Sequence, residues 1–79
     1  MDLYKVLFAR DAESDLRRVP FPLRRQINQR IFRLKAVPVP GEAQRISESG
    51  AYRLLIGGWR VLYEVDESAR TVTIYAIQP

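Results

Sequence analysis

Neither cysteine nor histidine occurs in the 79 residues, and methionine appears once. Without cysteine there is no disulfide frame, no thiolate metal site and no thiol nucleophile. Without histidine, the commonest metal ligand and the ordinary proton shuttle near neutral pH are missing as well. A zinc enzyme, a cysteine hydrolase and a serine–histidine triad are all disfavoured, and nothing in the sequence calls for a cofactor or a metal. No apolar run approaches the ~20 residues of a membrane span and no signal peptide opens the chain, so a cytoplasmic protein is expected. Repeats and low-complexity runs are also lacking. Residues 1–79 therefore read as a single domain, near the lower size limit for a self-sufficient core.

What the sequence does have is a hydrophobic content of 47%, that of a folded protein, and a formal charge of +4 that is unevenly spread. Residues 10–35 hold eight Arg or Lys against Asp11, Glu13 and Asp15, so this segment stands at +5 and the remainder sums to −1. A block of this kind favours nucleic acid, the ribosome or an acidic protein partner, while a merely solvated basic surface has the same composition. The candidate RNA-binding or partner-binding residues are Arg17, Arg18, Arg24, Arg25, Arg33 and Lys35 in that block, with Lys5 and Arg45 outside it.

Residues 3–8 alternate around one lysine and read as a strand, with Tyr4, Val6 and Phe8 toward the core. Asp11 offers an N-cap for a short helix carrying Ala12, Leu16 and Val19 at helical spacing. Pro20-Phe21-Pro22 ends that helix. A second helix is expected from about Pro22 to Ala36, with Leu23, Ile27, Ile31 and Leu34 on one face. The stretch from Val37 to Gly41, with two prolines, cannot continue it and reads as a stiff connector. Gln44-Arg45-Ile46 is a weak strand candidate.

Beyond it, Gly57-Gly58 separates two alternating runs. A type I′ turn needs positive φ at both central residues, so these glycines mark a two-residue hairpin and set its register. Ile56 falls opposite Trp59, Leu55 opposite Arg60, Leu54 opposite Val61, Arg53 opposite Leu62 and Tyr52 opposite Tyr63. If Asp66–Ala69 forms the next turn, Glu64 faces Thr71, Leu62 faces Thr73 and Arg60 faces Tyr75. One face then collects Tyr52, Leu54, Ile56, Trp59, Val61, Tyr63, Val72, Ile74 and Ala76 as a core wall, and Trp59 is expected to be buried there. The opposite face carries Arg53, Leu55, Arg60, Leu62, Glu64, Thr71, Thr73, Tyr75 and Ile77. Arg53 and Arg60 are diagonal neighbours roughly 7–8 Å apart, a seat for a phosphodiester if that face is more than solvated surface. The fold expected is α+β: an N-terminal strand, a two-helix hairpin, then three or four antiparallel strands with the helices packed on one face.

That order, together with the run from Tyr52 to Val65 (Tyr-Arg, Gly57-Gly58, Trp59-Arg60-Val61, then Tyr63-Glu64-Val65), resembles the RelE/ParE superfamily of bacterial type II toxin–antitoxin toxins across nearly the whole chain. The resemblance implies a cognate antitoxin that wraps the toxin. It also implies one of two targets. RelE-like members cut messenger RNA in the ribosomal A site without metal, using the ribose 2′-hydroxyl as nucleophile, whereas ParE-like members poison DNA gyrase; a catalytically degenerate, antitoxin-binding member is a further alternative. On the first branch the resemblance assigns Arg60 and Arg53 to the phosphate seat, and the expected place of Tyr75 across from Arg60 makes it the proton-transfer candidate from the residues themselves. Many RelE-like toxins carry a second basic residue where Leu55 stands, and a tail beyond the last strand with a basic residue and a tyrosine. This sequence ends at Pro79, leaving Tyr75 as the aromatic hydroxyl expected on the site face.

Overall fold

The structure, a computed structural model, describes residues 3–79. Its elements are β1 (Lys5–Phe8), α1 (Arg10–Arg18), α2 (Phe21–Arg33), β2 (Gln44–Arg45), β3 (Ala51–Ile56), β4 (Trp59–Asp66) and β5 (Thr71–Gln78). They form one mixed five-stranded sheet in the order β1-β5-β4-β3-β2, in which β1 runs parallel to β5 and the other neighbours are antiparallel. This is the expected α+β design, with the N-terminal strand placed beside the last one. The parallel pair is possible because α1 and α2 intervene in the chain, as a crossover must. Among the described residues no helix is long and apolar enough to cross a membrane.

The helices bury the faces expected of them. Ala12 and Val19 of the first helical stretch, and Ile27, Ile31 and Leu34 of the second, join Leu54, Ile56, Val61, Tyr63, Val72 and Ile74 in one core. Helix α1 starts before Asp11. Strand β1 runs straight into it: the Ala9 N–H is held by the Ile74 carbonyl at 2.9 Å, while the Ala9 carbonyl accepts from Ala12 and Glu13. Ala9 is thus the N-cap, without a side-chain cap, and Asp11 and Glu13 lie in the first turn where the helix dipole favours acids. Helix α2 has Pro20 as N-cap and stops at Arg33. Its last turn tightens through bonds from Leu34, Lys35 and Ala36 to carbonyls three residues earlier, so the expected end at Ala36 is a turn rather than α-helix. Arg24 donates to the carbonyls of Arg17 and Val19 at 3.0 and 3.1 Å, capping the end of α1 from α2.

The β3–β4 register is the one set by the glycine turn, from Ile56 opposite Trp59 to Tyr52 opposite Tyr63. The β4–β5 register differs from expectation in two ways. Asp66 pairs with Thr71 and Glu64 with Thr73, two residues away from the expected alignment. The cause lies in the turn: an Asp66 carboxylate oxygen accepts from the Ser68 hydroxyl at 2.9 Å and the Ala69 N–H at 3.0 Å, and Arg70 closes the loop with φ of 53°. The hydrogen-bonded Asp66 therefore belongs to the strand, and the loop is residues 67–70. The same bonds hold its carboxyl below the usual carboxylate range.

Further along, the register slips by one between Leu62 and Tyr63: Tyr63 pairs with Ile74, but Leu62 pairs with Ala76. Tyr75 is the extra residue of a β-bulge. A shift of two leaves each side chain on its face, whereas a bulge of one exchanges the faces. Ile77, expected on the open face, is buried in the core at 2% exposure, and Ala76, expected in the core, is not part of it. Arg60 faces Gln78 instead of Tyr75. Trp59 also departs from expectation, since at the outer end of its strand it is half-buried and only packs against the core.

Tyr63 is fully buried, stacks on Tyr52 with ring centroids 5.7 Å apart, and donates its hydroxyl to the Pro38 carbonyl at 2.9 Å. That bond fastens the proline-containing connector to the sheet. Burial pushes the Tyr63 phenol up to about 12.

Two stability measurements follow. Ile74→Ala should cost about 2–5 kcal/mol in chemical denaturation, and Trp59→Ala less than about 3 kcal/mol because its indole is already partly in water. Since the Tyr63 phenol ionises near 10 in the unfolded chain and higher when folded, its neutral form favours the fold below pH 10. That stability should fall by on the order of 2 kcal/mol as pH rises from 10 toward 12. Denaturant titrations at pH 9 and 11.5 should show the loss, and Tyr63→Phe should diminish it.

Candidate functional site

The open face of the sheet, opposite the helices, carries Arg53 on β3 and Arg60 on β4. Alternation dictates this, since their strand neighbours Leu54 and Val61 are paired on the buried face. Arg53 sits opposite Leu62 and Arg60 opposite Leu55, so the two guanidinium stems start from diagonal positions about 7–8 Å apart. Arg60 is exposed and Arg53 half-buried.

Both arginines are held by oxygen acceptors. Arg53 donates through Nε to the side-chain carbonyl of Gln44 at 3.1 Å and through Nη2 to the same oxygen. The paired position of Gln44 opposite Arg53 on the short edge strand β2 makes this contact possible. Arg60 donates through Nη2 to the Pro79 carbonyl at 3.2 Å. Neither contact is with an Asp or Glu side chain, so among the described residues no acidic side chain neutralises either guanidinium. In contrast, Arg30 on α2 is paired with Glu42 at 2.7 Å.

The bulge puts Tyr75 and Ala76 together against Leu62, in the sheet row of Gln44 and Arg53, and Tyr75 is half-buried there. The sheet thus brings Arg53, Arg60 and Tyr75 into two adjacent rows, with Tyr75 one row from Arg60. Leu55 is 54% exposed beside Arg60, and Glu64 is exposed on the far side of Leu62. Chemically the face offers two cations for an anion, one phenol and an apolar shelf.

The other basic candidates do not converge on it as one cluster. Lys5 is exposed on β1, Arg17 and Arg18 are exposed in the last turn of α1, and Arg25 and Arg33 are exposed on α2. Arg24 is engaged as the cap of α1. Lys35 lies over the Phe32 ring at 4.7 Å. Arg45, on β2, donates to the Ser47 carbonyl at 3.3 Å. Sequence reasoning missed Gln44, whose carbonyl orients Arg53, and Asp15, whose carboxylate accepts from the Ile77 N–H at 3.0 Å. Gln44 had a faint signal as part of a weak strand; Asp15 had none, because its partner is 62 residues away. Likewise unheralded, Tyr4 donates to Glu67 while the Arg70 guanidinium covers its ring at 4.4 Å.

Beside the sheet lies an apolar groove of about 520 Å³, lined by Leu3, Phe32, Leu34, Val37, Pro40 and Leu54 among others, with Arg30, Arg33 and Lys35 at its rim. Phe32 and Val37 are exposed there.

Comparison with known proteins points in one direction. A family model described as the ParE toxin of the type II toxin–antitoxin system parDE matches residues 6–79. No curated protein sequence matches significantly. Among solved structures, the chain is similar to one in the intact Escherichia coli RelBE toxin–antitoxin complex, at 17% identity with a TM-score of 0.85 over 95% of this chain and 94% of that one. It is similar to one in the RelBE2 complex of Mycobacterium tuberculosis at 24% identity, TM-score 0.83, over 96% of both chains. The archaeal RelE–RelB complex of Pyrococcus horikoshii gives 23% identity and a TM-score of 0.84 over 96% and 93%. At these identities the structural likenesses establish the fold.

Proposed function

Since the chain belongs to the ParE toxin family of type II toxin–antitoxin systems, we propose that this toxin acts as a ribosome-dependent endoribonuclease on messenger RNA and is neutralised by a cognate antitoxin. The observation that carries the reading is the pair of arginines on the open sheet face, oriented by Gln44 and Pro79 and paired with no acidic side chain among the described residues. A phosphodiester passing through a pentacoordinate transition state gains negative charge on its non-bridging oxygens, and two fixed guanidiniums stabilise that charge. In the reaction the ribose 2′-hydroxyl loses its proton and bonds to the adjacent phosphorus. The bond from phosphorus to the 5′-oxygen breaks, and that oxygen takes up a proton. Arg60 and Arg53 seat the phosphate. Tyr75 is the protein's phenol on this face for one proton transfer, with the ribosome supplying what the chain lacks.

A second reading, inhibition of DNA gyrase, is favoured by one observation: the register set by the 67–70 loop places Tyr75 against Leu62 rather than opposite Arg60, and the position beside Arg60 is the exposed Leu55 rather than a further cation. Either activity suits control by an antitoxin. The apolar groove, where Arg33 and Lys35 stand beside the Arg30–Glu42 ion pair, fits an acidic, amphipathic partner segment.

Induced expression followed by mapping of cuts in translated mRNA tests the first reading. Arg60→Ala should abolish cleavage while leaving stability within about 0.5 kcal/mol, because the side chain is exposed. Gln44→Glu should also lower cleavage, by placing a neutralising carboxylate on Arg53. Tyr75→Phe should reduce cleavage about 100-fold or more if the phenol moves a proton. Full toxicity of Tyr75→Phe accompanied by gyrase-dependent DNA breaks would replace the ribonuclease reading with the gyrase one.

A further inference from the structure

Strand β5 outruns its parallel neighbour. Strand β1 ends at Phe8, opposite Ile74, and the last bond along that edge is from the Ala9 N–H to the Ile74 carbonyl. Residues 75–78 continue past the point where β1 turns into α1. On that side the strand has no backbone partner, yet Ile77 is buried at 2% exposure, where an unpaired N–H is costly. The acceptor comes from a helix: Asp15 of α1 reaches across with Oδ2 and takes the Ile77 N–H at 3.0 Å. Its neighbour in the helix, Arg18, is 3.9 Å from the other carboxylate oxygen and largely exposed, so the bond to Ile77 is the closer tie.

The location of this bond gives it consequence. It falls two residues after Tyr75, just past the one-residue slip that exchanges the faces of β5. Without the bulge, Ala76 would point into the core and Ile77 onto the open face. With it, Ile77 enters the core, Gln78 stands opposite Arg60, and Pro79 reaches the Arg60 guanidinium. Ladder bonds to β4 alone do not choose between the two alignments, because either one satisfies the antiparallel edge. A part-buried carboxylate acceptor aimed at the Ile77 N–H does choose, since only the bulged alignment presents that group to α1.

We propose that Asp15 is a positioning residue: by holding the Ile77 N–H it locks the bulged register of β5 and thereby fixes which face Ile77 takes and where Gln78 and Pro79 stand relative to Arg60. The assignment of consequences for RNA cleavage rests on the reading above; the assignment of register does not.

Amide hydrogen exchange on the full-length chain, with Asp15→Ala and Asp15→Asn, tests it. Alanine is the better helix former, so any loss is not a loss of helix propensity. In Asp15→Ala the Ile77 amide should exchange about tenfold faster or more, as expected when a hydrogen bond to a charged acceptor is removed, while the Val61 and Val72 amides keep their rates. Asp15→Asn retains an acceptor oxygen and should restore slow exchange at Ile77. Cleavage of translated mRNA should fall in Asp15→Ala and recover in Asp15→Asn. Unchanged exchange at Ile77 in Asp15→Ala would overturn the proposal, as would equally faster exchange at Val61 and Val72, which would mark Asp15 as a general stabiliser. If the local exchange pattern appears but the unaltered protein cuts no RNA, the register role is supported and the ribonuclease reading is the one that fails.

Discussion

Gly57 and Gly58 turn with φ of 55° and 85°, a pair of left-handed conformations that only glycine adopts without strain. The turn fixes which residues of β3 and β4 face each other, and hence which side of the sheet is apolar. It also sets where the helices sit. A Cβ at position 57 would lie 2.5 Å from Leu23 Cδ1, so the first turn of α2 packs on the hairpin tip closely enough that a larger residue would have to push the Leu23 side chain aside. Strand register and helix packing are in this way two aspects of one constraint. Ile27, Ile31 and Leu34 follow Leu23 along the helix onto Leu54, Val61 and Tyr63.

The opposite face inherits its character from the same register. Arg53 and Arg60 are on it because Leu54 and Val61 are not, and their hydrogen bonds go to a glutamine side-chain oxygen and to Pro79 rather than to an acidic side chain. Glu64 shares the face beyond Leu62, while other acidic side chains are engaged elsewhere: Glu42 with Arg30, Glu67 with Tyr4, Asp66 within its own turn, Asp15 at the Ile77 amide. A small domain with thirteen cationic and nine anionic side chains thereby keeps two cations on an open sheet face.

Family membership makes the chain a toxin of a type II toxin–antitoxin system, and the proposed ribonuclease activity depends on fine geometry along β5. The register set by the 67–70 loop moves a tyrosine from opposite Arg60 to a place against Leu62. In transition-state terms that is the difference between a phenol beside the phosphate seat and one merely near it.

Much of this protein is written in short-range patterns. The two glycines, the alternation on either side of them and the helical spacing of Ile27, Ile31 and Leu34 determine the β3–β4 pairing, the core wall and the face carrying Arg53 and Arg60, because each depends on residues a few positions apart. The β4–β5 pairing was read wrongly from the same kind of pattern. Its loop is closed by the Asp66 carboxylate and by a left-handed Arg70, and the alternation of Thr71–Ile77 shows no trace of the bulge at Tyr75. That bulge is a tertiary decision. It is supported from α1 by Asp15, across 62 residues of sequence, and by the burial of Ile77 in a core built from both ends of the chain. The parallel pairing of β1 with β5 is likewise settled only once the helices have packed. Periodicity reports which side of its own element a residue occupies; it carries no information about which distant backbone group that side will meet.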